Sequence, residues 1–525
     1  MKKISRAEFL KTSAAGLAAM TIIPSRAAGK SVSGRSAPSD TFQLAAVGVG
    51  GQGSGNLRNL VGTGIVPPPA TPAGGAQGGG APGGGGTQAA RPTPPVQIDG
   101  VNLAVICDID DDYSKACRDR YPDVKYVKDW RRMLDDGKDI DGVMVATADH
   151  THAIITANAI TLGKHVYTEK PLTHSVYESR LLAKLAEYHG VASQMGNQGA
   201  SGAGVAQSID WILAGEIGEV TQVEGYTSRP IWPQGLNTPT TEDPVPAGLD
   251  WDAFIGPAKF RPYNKAYHPW DWRGWWDFGT GALGDMACHN LHTVFKALKL
   301  GHPISCQGSS VGMKPESCPH GQFVTYKFPD RGRIGNINLP PLTVRWYDGG
   351  MMPPRPDNLP DGRGLGGEGA IIYGTKDTLV HGTYGNNPYL VSGRTPESPQ
   401  VARRVETNHY QDWIRAAKEP KETRVKSNAD FSESGPFTEF IAMAVLAVRL
   451  APLNRILQWD GDNMRFTNIG ADETIRRVTG TEVVVVDGDP TVRNVTENVN
   501  AVEFANELIK HTYRSGWSMP DMPRG

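Results

Sequence analysis

The chain has 525 residues, which is enough for two or three domains with a sizeable core. Its formal net charge of −2 offers no electrostatic footprint for nucleic acid, and no apolar run of membrane-spanning length follows the N-terminus. The five cysteines form no C-x-x-C pair, which excludes zinc-ribbon and thioredoxin-like motifs and leaves open whether Cys306 pairs with Cys318 in an oxidising compartment.

The first residues have the layout of an export signal. Three basic residues, Lys2, Lys3 and Arg6, precede a mildly apolar run (9–24). The small residues Ala27 and Ala28 suit a cleavage site. The stretch 5–11 resembles a twin-arginine signal in which Ala7 replaces the second arginine. We therefore expect residues 1–40 to be the export signal and flexible leader of a periplasmic protein. A disordered cytoplasmic tail is the alternative.

A glycine-rich turn follows the first apparent strand, Thr41 to Val47. The turn reads G-x-G-x-x-G at Gly48, Gly50 and Gly53, and a helical segment follows it. In such a turn the first glycine permits the bend, the second lets backbone approach a pyrophosphate, and the third lets helix and strand pack closely. The helix N-terminus then favours the phosphate charge. The alternative is a Gly-rich surface turn.

The next strand, Val101 to Cys107, lies too far along the chain for this fingerprint unless residues 63–99 are set aside. That segment consists almost entirely of Gly, Pro, Ala, Thr and Gln, a linker composition, and we interpret it as a disordered insertion in the first crossover. Asp108 then falls where a dinucleotide's ribose hydroxyls lie, which favours NAD over NADP because an acidic side chain repels a 2′-phosphate. A helix N-cap is the other interpretation of Asp108.

Strands and helices alternate up to Gln198, which predicts a parallel, doubly wound sheet over residues 41–197. The loops that follow its strands meet at one sheet edge, where ligands bind. Lys170, directly after a buried strand and before Pro171, is our candidate for the centre of the chemistry. The predicted cofactor residues in these loops are Gly48, Gly50, Gly51, Gln52, Gly53, Asp108, Thr147, His150, His152, Glu169 and Asn197.

These motifs together resemble the Gfo/Idh/MocA oxidoreductases (glucose–fructose oxidoreductase, inositol dehydrogenase and relatives), most of all the exported members with a Trp-rich substrate domain. The resemblance covers most of 41–465 and 505–517. It departs from the family at Ala148, where many members have proline, and at two insertions, 63–99 and 470–502. The stretches that carry it are the glycine turn at 48–53, Cys107-Asp108, 149–152 (D-H-T-H), 169–171 (E-K-P) and 281–292.

The resemblance implies an α/β protein with an N-terminal Rossmann domain and a second, α+β domain. This second domain, residues 198–525, would hold a large, mostly antiparallel sheet whose open face serves assembly into a homo-oligomer. Strand-like runs at 219–227, 323–328, 342–347, 369–374 and 378–382 agree with it, as does a helix-period run at 437–450.

Asp285, His289 and His292 are spaced by four and three residues, so a helix would place them on one face. Spacing alone suits a solvated face, and a D-x3-H-x2-H metal site is a further interpretation, although no partner motif supports a metal. The resemblance instead assigns Asp285 and His289 to the D-x3-H of the family's catalytic helix. His292 matches less firmly and would contact substrate or pack.

The implied chemistry is hydride transfer between a substrate C–H and the nicotinamide of NAD. His289 suits removal of the hydroxyl proton because its ordinary pKa lies near neutral pH. As the base, Lys170 would need a lowered pKa, which burial and the positive nicotinamide ring of NAD⁺ both favour. We assign Lys170 instead to orienting and polarising the hydroxyl, and the two roles could be reversed. Trp faces stack on sugar C–H groups, although about half of the tryptophans near 275 should be core. The predicted substrate residues are His292, Trp272, Arg273, Trp275, Trp276, Arg229 and Trp232.

The expected function is therefore NAD-dependent oxidation or reduction of a sugar, glycoside or cyclic polyol. A second interpretation is a redox-neutral enzyme that oxidises a glycoside transiently, eliminates the glycosidic bond and returns the hydride. Export favours this alternative because free NAD is scarce outside the cytoplasm. A third interpretation is a non-catalytic protein that retains NAD and binds sugar.

Overall fold

The computed structural model describes residues 40–63 and 98–524. The predicted export signal and nearly all of the predicted insertion at 63–99 lie outside the described residues. Within those ranges, no helix combines the length and apolarity needed to cross a bilayer.

The N-terminal domain is built on a six-stranded sheet of order β3-β2-β1-β4-β5-β6 in which every pair is parallel. Buried Val, Ile, Leu and Ala on both faces suit a parallel sheet covered by helices. The predicted Rossmann fold is confirmed. Its elements are β1 (Phe42–Val47), α1 (Gln52–Leu60), β2 (Val101–Cys107), α2 (Lys115–Arg120), β3 (Lys125–Val127), α3 (Trp130–Asp136), β4 (Gly142–Val145), α4 (Asp149–Thr161), β5 (His165–Glu169), α5 (Val176–His189) and β6 (Ser193–Gly196).

The second domain holds a nine-stranded sheet of order β15-β14-β13-β7-β12-β9-β8-β16-β17. Only β7 and β12 pair in parallel among its strands, so the predicted mostly antiparallel sheet is also confirmed. Its strands are β7 (Val220–Thr227), β8 (Ser305–Val311), β9 (Gly321–Phe328), β12 (Leu342–Tyr347), β13 (Glu368–Gly374), β14 (Thr378–Gly382), β15 (Tyr389–Leu390), β16 (Leu457–Asp460) and β17 (Arg465–Phe466), with β10 (Arg333–Ile334) and β11 (Ile337–Asn338) as a separate hairpin.

The helices of the second half join the two domains. α11, rich in buried aromatic and aliphatic side chains, packs against both α5 and β8. α10 lies in the second half of the sequence but packs on the first sheet, where Trp413 meets Phe42 edge-on at 5.6 Å. The helices are α6 (Ala203–Leu213), α7 (Trp251–Ile255), α8 (Gly281–Asn290), α9 (His292–Ala297), α10 (His409–Lys418), α11 (Phe431–Arg449) and α12 (Ala501–Ile509).

The predicted second insertion, 470–502, is a long hairpin. Its strands, β18 (Thr474–Val486) and β19 (Asp489–Asn500), pair only with each other. The hairpin is mostly exposed, and α12 follows it directly and returns the chain to α11.

Candidate active site

A cavity of about 480 Å³ lies where the carboxyl ends of β1, β2, β4 and β5 face the second domain. The glycine turn forms one wall of it through Gly48, Gly50, Gly51 and Gln52. A β-carbon on Gly48 would lie 2.6 Å from the Ala146 carbonyl oxygen, and Gly48 has a φ of +79°. The turn therefore needs glycine, and its backbone can approach a ligand as a pyrophosphate-binding turn requires.

The third glycine has the packing role predicted for it. Gly53 does not line the cavity, but a β-carbon there would lie 1.9 Å from the Gly48 carbonyl oxygen. Asp108 lines the cavity and accepts hydrogen bonds from the backbone amides of Val49 (2.7 Å) and Asp110 (3.1 Å). It is not the cap of α2, which begins after Ser114, and burial raises its pKa to about 6. Asp108 thus ties β2 to the glycine turn.

Lys170 and Asp285 meet across the two domains. The Lys170 ammonium donates to the Asp285 carboxylate at 2.5 Å and to its backbone carbonyl at 3.1 Å. Burial alone would lower the pKa of Lys170, but the adjacent Asp285 carboxylate outweighs it and raises the pKa. The lowered pKa that Lys170 would need as a base is therefore not found. Burial opposes ionisation of Asp285, yet Lys170 and then Arg273 lower its pKa overall, so the two side chains form an ion pair.

His289 is buried beside this pair at the end of α8, so the interpretation as a solvated helix face was wrong. Burial, and then the positive charge of Lys170, lower the pKa of His289 well below its usual 6.5. Its Nδ1 has no hydrogen-bond partner among the described residues. The site therefore presents a neutral imidazole next to a protonated lysine.

His292 does not reach the cavity. The helix predicted to run through it ends at Asn290, and α9 starts anew after Leu291, which turns His292 toward Glu433 with an Nε2–Oε1 distance of 2.7 Å. The predicted substrate role of His292 is thereby corrected. This break also separates it from Asp285 and His289, and no cluster of metal-ligating side chains occurs in the part of the chain that the structure describes.

The segment that follows β4 and enters α4 braces the cavity instead of supplying an acid or base. Both ring nitrogens of His150 face backbone carbonyls, of Phe254 (2.9 Å) and Phe278 (3.3 Å), and burial lowers its pKa to about 3. His152 faces the carbonyls of Pro171 and Thr147 in the same way, and burial lowers its pKa to about 4. All three residues of this segment that were predicted to bind cofactor, Thr147, His150 and His152, line the cavity.

Glu169 also lines the cavity, where it accepts hydrogen bonds from Asn56 (2.8 Å) and Gln198 (3.1 Å). Asn197, by contrast, is buried behind the wall, and its neighbour Gln198 reaches the cavity instead. The predicted cofactor contact of Asn197 is corrected for that reason. β6 ends at Gly196, and a 3-10 turn, Gln198–Ser201, begins directly after Asn197, so the strand pattern does not extend to these two residues.

The tryptophan-rich stretch divides between cavity and core. Trp272 lines the cavity with Trp270 and Trp232, and the Arg273 guanidinium lies 4.3 Å from the Trp272 ring. Trp275 instead donates to the Ala266 carbonyl at 2.7 Å and packs in the core, and Trp276 is also buried away from the cavity. The expected equal division was right for the four tryptophans at 270–276, but assigning Trp275 and Trp276 to substrate was wrong.

Arg229 lines the cavity as predicted and pairs with Glu368 at 3.0 Å. Several lining residues were not predicted from the sequence: Tyr113, Gln198, Trp270, Glu368 and Tyr384. Trp270 and Gln198 stood within the stretches singled out above. Tyr113, Glu368 and Tyr384 lie in no motif, so no local signal could have found them.

Known proteins match both halves of the chain. A model of an oxidoreductase family with an NAD-binding Rossmann fold matches residues 80–197, and the model of an oxidoreductase C-terminal α/β domain matches 206–334. Levoglucosan dehydrogenase of Pseudarthrobacter phenanthrenivorans is 29% identical over 161 residues, 31% of this chain and 33% of that protein. The NAD(+)-dependent scyllo-inositol 2-dehydrogenase of Bacillus subtilis is 33% identical over 103 residues, 20% of this chain and 30% of that protein.

The chain thus matches about a third of the length of these curated relatives. Among solved structures, the WlbA dehydrogenase of Bordetella pertussis, in complex with NADH and UDP-GlcNAcA, shares the fold. It superposes with a TM-score of 0.51 at 14% identity and covers 80% of this chain and 99% of its own. The two matched models, one on each domain, show that this chain belongs to the Gfo/Idh/MocA family of NAD-binding oxidoreductases.

Proposed function

We propose that the protein is an NAD-dependent enzyme that oxidises or reduces a carbon–hydroxyl group of a sugar, glycoside or cyclic polyol. The observation that carries this proposal is the Lys170–Asp285 ion pair with the neutral, buried His289 beside it, all at the wall of the cavity that begins at the glycine turn. The activities for which the relatives are named, levoglucosan and inositol dehydrogenase, agree with it.

The residues present fit a dinucleotide. β-Carbons on Gly48 and Gly53 would clash with backbone oxygens, so the turn requires glycine and presents bare backbone at the cavity, and the Asp108 carboxylate stands beside it. With a pKa near 6, Asp108 is ionised at neutral pH and disfavours a 2′-phosphate, which supports NAD over NADP. When bound, NAD supplies the hydride acceptor.

The remaining chemistry falls to side chains of this chain. Lys170 keeps its proton and donates a hydrogen bond to the substrate oxygen, while Asp285 holds the ammonium in place. His289, neutral at physiological pH, accepts the hydroxyl proton as the C–H bond breaks. Lys170 is the weaker candidate for base because its raised pKa keeps it protonated.

The test is a rapid-mixing experiment on purified protein loaded with NAD. Methyl β-D-glucoside, levoglucosan and myo-inositol would each be added, and absorbance at 340 nm followed. We expect reduction of the cofactor by at least one of these compounds. Absence of reduction and of product with all of them would contradict the proposal. Mass spectrometry of material released by denaturation identifies the nucleotide that the protein carries.

A redox-neutral glycoside-cleaving reaction is a second candidate, and one observation favours it. Residues 248–250 and His268 form a strap that bonds to the loop after β2, two of whose residues, Asp108 and Ile109, line the cavity. The Asp250 amide donates to the Ile109 carbonyl (3.0 Å), the Asp111 amide to the Gly248 carbonyl (3.1 Å), and His268 pairs with Asp110 (2.7 Å). Such a strap would retain the cofactor between turnovers. Glycoside cleavage without net NADH accumulation would identify this reaction.

A further inference from the structure

Tyr384 has a backbone conformation that L-residues rarely adopt. It stands in a tight turn, Thr383–Gly385, just after β14, with a φ of +63° and a ψ of 16°. A bulky residue in the left-handed region is an outlier, and such outliers concentrate at functional sites. Here the side chain lines the cavity, so the unusual backbone directs an aromatic ring into the candidate active site.

The surrounding structure holds this turn from two sides. The Thr383 hydroxyl donates to Glu368 on β13 at 2.9 Å, and the Asn386 amide donates to the Thr383 carbonyl at 3.2 Å. On the other side the turn presses on Gly199, where a β-carbon would lie 2.7 Å from the Tyr384 Cα. These contacts explain how the conformation persists despite its cost.

The ring and the hydroxyl of Tyr384 have different surroundings. The ring lies edge-on to the His289 imidazole, with 4.3 Å between centroids. The hydroxyl makes no hydrogen bond to another residue that the structure describes, and the residue is 39% exposed at the cavity lining, so the hydroxyl is open to a ligand. Burial raises the pKa of Tyr384, so the hydroxyl keeps its proton at neutral pH. The cavity therefore contains an unused hydrogen-bond donor next to the candidate base.

We propose that Tyr384 is a substrate-contacting catalytic residue whose ring positions the His289 imidazole and whose hydroxyl donates a hydrogen bond to a substrate oxygen beside the reacting carbon. This inference rests on the function proposed above. It accounts for the strained backbone, the ring contact and the unpartnered hydroxyl together. A tyrosine that only filled space would need no hydroxyl and would be replaced by phenylalanine without loss.

The test compares three variants, all loaded with NAD. Tyr384→Phe keeps the ring and removes the donor, whereas Tyr384→Asn tolerates the left-handed backbone and removes the ring. Tyr373→Phe, on β13 and outside the cavity lining, is the matched control. The measurement is the rate of cofactor reduction at 340 nm with the compound on which the wild type is most active.

We expect Tyr384→Phe to lower kcat/KM about tenfold, the loss of one good hydrogen bond, with unchanged melting temperature and nucleotide content. Tyr384→Asn should lower kcat/KM further. It should also shift the acid limb of the pH profile, because the His289 imidazole loses the aromatic ring that lies against it. Tyr373→Phe should match the wild type. Equal rates for Tyr384→Phe and the wild type would overturn the inference and leave the proposed function intact.

A second readout uses the substrate instead of the protein. Deoxy analogues of the active compound are compared with the parent in the wild type and in Tyr384→Phe. One deoxy analogue should react more slowly than the parent compound in the wild type. In Tyr384→Phe the same analogue should react no more slowly than the parent, because both changes remove the same hydrogen bond. Additive losses with every analogue would contradict the contact. An inactive wild type would instead remove the proposed function and this inference with it.

Discussion

At the scale of single residues, the site depends on how three ionisable side chains share charge. Lys170 is held protonated by Asp285, and that positive charge in turn keeps His289 neutral. The site thus places a protonated donor, Lys170, close to a neutral acceptor, His289. Pairs of groups with opposite pKa shifts are typical of acid–base sites.

Lys170→Ala should reduce turnover by about 100-fold or more, the range expected when a positioned acid–base group is lost. Nucleotide retention should change little, because the glycine turn and Asp108 hold the other end of the dinucleotide site. The check is single-turnover absorbance at 340 nm together with the nucleotide content of the denatured protein. Turnover at the wild-type rate would contradict the role of Lys170.

The pH profile follows from the directions of the shifts. His289 can accept a proton only above its pKa, which lies well below 6.5, so kcat/KM should be constant around neutrality and fall in acid. Lys170 loses its proton only above its usual 10.5, which places the alkaline limb beyond that value. Asp285→Asn should move the alkaline limb to lower pH because the ion pair is lost. Rates measured from pH 5 to 11 should show a broad plateau, and a narrow bell with both limbs close to neutrality would disagree.

At the scale of elements, short breaks in regular structure place the functional side chains. The interruption at Leu291 between α8 and α9 leaves His289 in the cavity and turns His292 to Glu433. The glycine turn between β1 and α1 is a second such break. Its close contacts leave no room for side chains, so backbone lies at the cavity. Both breaks depend on the packing around them and on a few local residues.

Two glycines of α1 provide a matched test. Gly53→Ala places a β-carbon 1.9 Å from the Gly48 carbonyl and should cost about 1–3 kcal/mol while weakening nucleotide binding. Gly55→Ala meets nothing closer than 3.7 Å and should stabilise the helix by up to about 1 kcal/mol. Thermal unfolding with and without NAD measures both. If the two variants showed the same thermal stability and the same stabilisation by NAD, the close helix–strand contact would not be the reason for glycine at position 53.

At the scale of the whole molecule, the cavity is an interface between the two domains. Asp285, His289 and Tyr384 come from the second domain, whereas Lys170 and the glycine turn come from the first. α11 packs on both domains and the strap at 248–250 bonds to the loop after β2, so the parts are held together across the cavity. The site therefore forms only when both domains are folded against each other.

We expect the strap to slow the release of nucleotide from the cavity. His268→Ala removes the buried partner of Asp110 and should speed NAD release severalfold, with a smaller effect on single-turnover rates. Lys115→Ala, which breaks an exposed ion pair with Asp119 on α2, is the control and should release NAD like the wild type. Fluorescence of bound NADH during dilution measures release. Unchanged release from His268→Ala would show that the strap does not retain cofactor.

The sequence by itself determined the features that depend on local chemistry. Strand periodicity and glycine spacing predicted the Rossmann sheet and its turn, and the edge where the loops meet followed from the parallel order of the strands. Family motifs located Lys170, Asp285 and His289. These signals are local because a backbone bend or a strand end is specified by a few adjacent residues.

Tertiary structure decided the rest. Helical spacing aligned His292 with His289, but the helix breaks at Leu291 and His292 instead meets Glu433 on α11. Composition could not separate Trp272 at the cavity from Trp275 in the core, because burial depends on which segments meet. Tyr384 reached the site only through strand pairing and a strained turn, and the pKa of Lys170 rose because folding brought Asp285 to it from another domain. Contacts between residues far apart in the chain are not specified by any local periodic pattern of the sequence.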